Sequence, residues 1–266
     1  MKTFVILCAL LVAVSATRFP AARPRDFLPK SRIVGGTLAY EGQFPYQVGI
    51  DFSGKAGYWF CGGSIIANNW ILTAAHCTDG AKEVSIRAGT IDMYDLDAQL
   101  RKVTNLDDIK IHDQFNASTL NYDISLIRLE QPLTLNYFVG TIPMADSSIT
   151  LSSLEGERVV ASGWGQVSDD TGVIDDLRFV NLFIENHNAC KNYYYPGLVN
   201  DGVICADTVR GTKSTCNGDS GGPLRHRKVL VGVTSFISAA GCESGGPDGF
   251  TFVPEFRGWI KQHTGI

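Results

Sequence analysis

An all-β fold, a sandwich or a barrel, is what the sequence predicts, and three observations predict it. Short runs rich in β-branched and aromatic residues recur along the chain: Tyr46 to Phe52, Val84 to Ala88, Ile124 to Leu129, Val159 to Ala161 and Val229 to Thr234. Gly, Asn and Asp break the chain between such runs, the punctuation of tight turns and not of alternating βα units. A helical period stands out only at the C-terminal end. There Pro254 can open a helix, Phe256, Trp259, Ile260 and His263 fall on one face at three- and four-residue spacing, and Gly265 lies near its end. That face is read as packing on the body of the domain. No internal repeat or low-complexity tract is present.

The N-terminal end carries processing signals. Met1-Lys2, an apolar run from Phe4 to Val14 and the small pair Ser15-Ala16 make residues 1–16 a secretory signal peptide. The run is too short to span a bilayer and no other run approaches that length, so a secreted, extracellular protein with no membrane partner is expected. Residues 17–32 hold three of the ten prolines and five basic residues, the profile of an exposed, cleavable arm. The remaining residues, 33–266, are read as one body. The chain has 23 basic and 27 acidic residues, and removal of residues 1–32 takes six basic residues and one acid. The 17 basic and 26 acidic residues left give a formal charge of −9. That sign argues against nucleic acid or an anionic membrane as partner, since both need a cationic surface.

Of seven cysteines, Cys8 leaves with the signal peptide, and the other six allow 15 pairings that spacing does not choose among. A zinc site is not indicated, because no two cysteines stand at Cys-x-x-Cys spacing. The acid pairs Asp107-Asp108, Asp169-Asp170 and Asp175-Asp176 have no third ligand at regular spacing and read as solvated loops. No metal and no cofactor are expected.

The chemistry concentrates in three segments. Cys216-Asn217-Gly218-Asp219-Ser220-Gly221-Gly222-Pro223-Leu224 surrounds one serine with glycines that leave its hydroxyl and nearby amides unobstructed. A neutral hydroxyl is a poor nucleophile and needs a base in reach and a third group to orient that base. Thr73-Ala74-Ala75-His76-Cys77 offers the histidine, and Asn121-Tyr122-Asp123-Ile124-Ser125-Leu126-Ile127 the aspartate, in the chain order His, Asp, Ser. These residues lie 47 and 97 positions apart, so only tertiary folding can join them. His112, His187, His226 and His263 sit in no such segment and are read as structural.

On these segments the chain resembles the trypsin/chymotrypsin family of serine peptidases. The resemblance implies two six-stranded antiparallel β-barrels with the active site between them. It implies His76 as base, Asp123 as its orienting partner, Ser220 as nucleophile, and the amides of Gly218 and Ser220 as the oxyanion hole. It pairs Cys61 with Cys77, Cys190 with Cys205 and Cys216 with Cys242. Ser162-Gly163-Trp164-Gly165 matches a further family landmark, read as packing beside the cleft. In Lys30-Ser31-Arg32-Ile33-Val34-Gly35-Gly36, the family's cleavage after Arg32 frees the Ile33 amine to pair with Asp219, making the chain a zymogen with residues 17–32 as its activation propeptide.

The resemblance also addresses selection. Ser214, six residues before the nucleophile, falls at the base of the pocket for the residue preceding the scissile bond, where a neutral group favours large apolar or aromatic side chains. Ile237 replaces a usual glycine in the pocket wall and narrows it toward elastase-like preferences; Asp248 stands where its carboxylate can enter from the side and accept Lys or Arg. The run Thr234 to Gly245 looks most like the arthropod branch, including brachyurin-type collagenolytic enzymes and insect gut chymotrypsins. A digestive endopeptidase of chymotrypsin-like preference is expected, with broad collagenolytic or elastase-like action as the alternative and an inactive binding homologue as the alternative of another class. Expected partners are protein or peptide substrates, protein protease inhibitors, and a trypsin-like activator or the enzyme itself; a monomer in the gut lumen is the expected setting. Asn116-Ala117-Ser118 is a glycosylation acceptor by pattern. N-terminal sequencing of the active protein is expected to give Ile33, and an intact Arg32–Ile33 bond in fully active material overturns the zymogen reading.

Overall fold

The computed structural model describes residues 34–266. The signal peptide, the cleavable arm and the expected cleavage at Arg32 and Ile33 lie outside the described residues. The first half supplies β1 (Thr37–Leu38), β2 (Gln47–Gly54), β3 (Gly57–Ala67), β4 (Trp70–Thr73), β5 (Ala81–Ala88), β6 (Gln99–Val103), β7 (Ile109–Ile111) and β8 (Ser125–Arg128). All but β1 form one curled antiparallel sheet in the order β6-β5-β2-β3-β4-β8-β7. Alternation sets its inner face: Val48, Ile50 and Phe52 on β2 and Val84, Ile86 and Ala88 on β5 are buried at every second position.

The second half supplies β9 (Arg158–Gly163), β10 (Arg178–Ile184), β11 (Val203–Asp207), β12 (Pro223–His226), β13 (Val229–Phe236) and β14 (Asp248–Phe252). These run β10-β11-β14-β13-β12-β9, and β9 pairs back onto β10, closing a six-stranded barrel with β1 added at the β10 edge. Closure removes the free edges that an open sheet exposes. Val159, Ala161, Val180, Leu182, Ile204, Leu224, Val231 and Phe250 fill the interior.

The C-terminal helix ties the halves together. A 3-10 turn, Val253–Phe256, precedes the C-terminal helix, Arg257–Thr264, so the regular helix starts three residues after the expected Pro254. Gly265 at φ +77° ends it, its N–H bonded to the Lys261 carbonyl, as a left-handed C-cap requires. Phe256 and Ile260 are buried in the same core cluster as Ile71, Leu126 and Ile127 of the first sheet. Trp259 completes the contact with its ring 5.1 Å from that of His112. Ile71 is fully buried between β3 and β8, so Ile71→Ala is expected to cost about 2–5 kcal/mol; a shift in the urea midpoint corresponding to under 1 kcal/mol would show that this core collapses around the gap.

Candidate active site

The β4–β8 ladder brings the histidine and the aspartate together. Its register sets Thr73 opposite Ser125, so the residues just after β4 and just before β8 come out side by side. β4 is buried throughout and leads into a single helical turn, α1 (Ala75–Thr78), that carries His76. The Cys61–Cys77 disulfide ties this turn to β3, Trp59 Nε1 donates to the Cys77 carbonyl at 2.8 Å, and Thr78 Oγ1 donates to Ser125 Oγ at 2.8 Å. Asp123 is 1% exposed, and both carboxylate oxygens are engaged. Oδ1 accepts the His76 backbone N–H at 2.8 Å; Oδ2 accepts from Nδ1 of the His76 ring at 2.8 Å and from the Ser235 hydroxyl at 2.6 Å. Ser235 reaches it because β13 breaks register between Thr234 and Phe236, a bulge that re-aims the residue between them.

With Nδ1–H held by Asp123, Nε2 is left as the basic nitrogen. Burial pushes the imidazole down, but the charge and hydrogen bond of Asp123 outweigh it and hold His76 above its ordinary range. Among the described residues Nε2 has Cys77 Sγ at 3.7 Å, and its bond to Ser220 Oγ is not formed. Such bonds commonly tighten only when substrate docks.

Glycines set the loop that bears Ser220 against the first sheet. Gly62 N–H donates to the Ser220 carbonyl at 2.7 Å, and Gly221 N–H to the Thr234 carbonyl at 2.8 Å. Gly221 sits at φ +77°, and a Cβ there would strike Thr73 Oγ1 and lie 2.5 Å from the Gly62 carbonyl oxygen. A Cβ on Gly62 would lie 3.0 Å from Gly222 Cα. Side chains are thus excluded where the serine is pressed toward the β4–α1 corner that bears His76. Gly218, at φ +97°, packs against Gly165 and Val173, and the amides of Gly218 and Ser220 donate to no protein acceptor among the described residues. Asp219 turns away from the cleft, its Oδ1 accepting from Gly165 N and Oδ2 from Cys216 N, both at 2.9 Å. Burial pushes its carboxyl up to about 6 despite those two amides. Its expected partner, Ile33, lies outside the described residues.

Two of the residues expected in the specificity pocket also converge. Ser214 is fully buried and Asp248 is 1% exposed. Asp248 Oδ1 accepts from Ser214 Oγ at 2.8 Å, while Oδ2 accepts from Thr215 N at 2.6 Å and Thr215 Oγ1 at 2.9 Å. Burial raises this carboxyl to about 7, the three hydrogen bonds oppose that, and the nearby Asp219 adds to it. Ile237 packs against Val34 and the Cys216–Cys242 disulfide. Phe236 stands edge-on to Tyr194 at 5.1 Å and fills the space a Cβ on Gly249 would need. Tyr194 OH donates to the Pro247 carbonyl beside Asp248. Thr215, Ser235 and Tyr194 escaped the sequence reading; adjacency to Ser214 and to Phe236-Ile237 was a signal for the first two, and Tyr194 had none.

The expected disulfides Cys61–Cys77, Cys190–Cys205 and Cys216–Cys242 are all formed. Among the described residues the two clusters of metal-type side chains, Cys61/His76/Cys77 and Asp169/Cys216/Cys242, are built around disulfide sulfurs, which are not thiolate ligands. Asn116 is exposed on a turn, its Oδ1 accepting from Ser118 N at 2.9 Å. No described helix is long and apolar enough to cross a membrane.

A buried carboxylate fixing a histidine tautomer, beside a serine flanked by uncommitted amides, can move a proton off a hydroxyl and hold a developing oxyanion. Comparison with known proteins agrees with that chemistry. The family profile described as Trypsin matches residues 33–260. The chain is 40% identical over 235 residues to Brachyurin of Leptuca pugilator, covering 88% of this chain and 99% of that protein. It is 38% identical over 270 residues to Collagenase of Hypoderma lineatum, covering 100% of this chain and 99% of that one. A solved structure of HL collagenase superposes with a TM-score of 0.80 at 37% identity, over 88% of this chain and 99% of that structure.

Asp219 and Asp248 both have folded-state carboxyls raised from 3.8, to about 6 and about 7. The folded chain therefore holds protons that the unfolded chain releases, and these two groups make stability fall as pH rises from about 4 to about 7. Asp248→Asn removes one of them, so urea midpoints of the uncut variant are expected to fall less steeply than the parent's across that window. Parallel curves for parent and variant would overturn the assignment.

Proposed function

The chain belongs to the trypsin family of serine endopeptidases, and we propose that it is a secreted digestive enzyme, made as a zymogen, that cleaves after large apolar or aromatic residues. The observation that carries the catalytic reading is Asp123, buried, with both oxygens on His76. In this reading Ser220 Oγ attacks the scissile carbonyl carbon as its proton passes to His76 Nε2. Asp123 Oδ2 steadies the Nδ1–H of the imidazolium, and the amides of Gly218 and Ser220 take the oxyanion. Collapse expels the amine, which collects the proton from Nε2, and leaves an acyl-enzyme that water cleaves by the same path. Loss of one oxyanion donor in such a site typically costs about 10²- to 10³-fold in turnover.

Selection follows from Ser214 and Asp248. Ser214 and Thr215 already occupy acceptor sites on the Asp248 carboxylate, and its proton affinity keeps part of the population neutral near pH 7. A floor of that kind suits Phe, Tyr and Leu, while the ionised fraction accepts Lys or Arg. Broad brachyurin-like or collagenolytic action is the second reading, favoured by the relatives named Brachyurin and Collagenase. Activation would place the Ile33 ammonium on Asp219, whose buried carboxylate otherwise has only backbone amides as partners among the described residues. Cleavage by a trypsin-like protease, or by the enzyme itself where Asp248 admits arginine, would trigger it.

Matched peptide amides ending in Phe, Tyr, Leu, Ala, Val or Arg, offered to protein cut at Arg32, test the reading. Phe, Tyr and Leu are expected to be fastest, with Arg cleavage rising as pH passes about 7, and with activity lost in Ser220→Ala. Peptidase activity that survives in Ser220→Ala rules out the mechanism, and a strong Ala or Val preference means that Ile237 governs the pocket.

A further inference from the structure

Asp169 belongs to neither the dyad, the glycine loop nor the pocket floor, yet its carboxylate is engaged with the backbone of the pocket wall. Oδ1 accepts the Cys242 N–H at 2.7 Å and Oδ2 the Glu243 N–H at 3.4 Å. The contact is reciprocal, since Glu243 Oε2 accepts the Asp169 N–H at 3.1 Å. Two successive amides around one carboxylate form an anion-binding concavity. Gly241 makes the approach possible: it sits at φ +108°, and a Cβ there would lie 2.5 Å from Asp169 Oδ2.

The same loop is fastened at its other end to the oxyanion segment. Gly165 N donates to Asp219, Gln166 N donates to the Asn217 carbonyl at 2.8 Å, and Asn217 Nδ2 donates to Gln166 Oε1 at 2.8 Å. Within the loop, Thr171 Oγ1 accepts from Val167 N and Ser168 N, and Gln166 Nε2 donates to the Thr171 carbonyl. Residues 165–171 therefore brace the neighbours of Gly218 against the wall segment 237–242. That segment is a turn beyond the end of β13, closed locally by Gly241 N on the Ser238 carbonyl. The Cys216–Cys242 disulfide anchors one point of it, the Cys242 side chain. Ile237 packs against Val34 and that disulfide, and Tyr193 OH lies 3.4 Å from Ser238 Oγ, but these hold side chains; the Asp169 carboxylate holds the backbone itself, at the Cys242 amide.

We propose that Asp169 is a positioning residue for substrate selection, holding the Ile237–Cys242 wall, through the Cys242 amide, at the width that admits a large side chain before the scissile bond. The inference rests on the protease reading for its substrate, and on hydrogen bonding alone for its structural half.

Asp169→Ala and Asp169→Asn, in protein cut at Arg32, are to be assayed on matched amides ending in Phe, Leu, Ala or Gly. Asp169→Ala is expected to raise KM for Phe about tenfold with kcat within about twofold, and to leave the Gly amide little changed. Asp169→Asn keeps Oδ1 as acceptor for Cys242 and is expected to recover most of the loss. A fall in kcat shared equally by all four amides, or no change, overturns the proposal. Amide exchange in a Ser220→Ala background gives a readout that needs no catalysis. Asp169→Ala should speed exchange at Cys242 and Glu243 by about tenfold or more; Asp169→Asn should do so at Glu243 while Cys242 stays protected. Should the alanine variant not fold, the asparagine variant decides, and equal protection of both amides overturns the proposal. A parent protein that cleaves none of the amides sinks the protease reading, while the exchange result still tells whether Asp169 holds the wall.

Discussion

One buried charge organises this molecule. The Asp123 carboxylate sits at the meeting of both halves of the chain, and an unpaired carboxylate in that position would be strongly destabilising. Its donors come from separate elements: His76 from α1 in the first half, and Ser235 from the bulge of β13 in the second. Thr251 on β14 adds a bond from its hydroxyl to the Asp123 backbone carbonyl at 2.6 Å. Satisfying the charge therefore requires the curled sheet and the closed barrel to be in register with each other. The same bonds set the tautomer of His76, so the demand of burial and the demand of chemistry are met by one arrangement.

The other two buried acids of the site repeat the theme with a different outcome. Asp219 and Asp248 are each 1% exposed and are met by neutral donors, two backbone amides at Asp219 and one amide with two hydroxyls at Asp248, rather than by a positive charge within the described residues. Neutral donors offset part of the desolvation cost and leave the carboxyl raised, so both groups respond to pH or to an incoming cation. In the function proposed above, an ammonium meeting Asp219 and a basic substrate side chain meeting Asp248 would be, physically, the same event at two neighbouring places. Close backbone contact makes these sites small: Gly62, Gly221 and Gly222 stack where no Cβ fits, and the Cys216–Cys242 disulfide and Asp169 tie the surrounding loops together.

Much of this was legible in the chain because it depends on local residue type. The β-rich run from Tyr46 to Phe52 marked a strand, the face of Phe256 and Ile260 marked the last helix, and the glycine-flanked Ser220 and the segments around His76 and Asp123 named the chemistry. Local signals weakened where structure was short: the helix His187–Tyr193, capped by Asn186 Oδ1 accepting from Ala189 N at 3.0 Å, offers too few turns for a period to show. The first turn at Pro254 is 3-10, the Arg257 N–H bonding to the Pro254 carbonyl three residues back, and no local signal separates such a turn from the α-helix that follows.

The sequence by itself determined the fold class, the candidate reacting groups, and which cysteines were available to pair, since each of these follows from side-chain chemistry and spacing of two to four residues. Tertiary structure alone decided that Ser214 would share the Asp248 carboxylate with Thr215, that a bulge would turn Ser235 onto Asp123, and that Asp169 would reach Cys242 across 73 positions. Hydrogen bonds act over about 3 Å of space, whatever the distance along the chain, and only the folded backbone sets which donors and acceptors come that close.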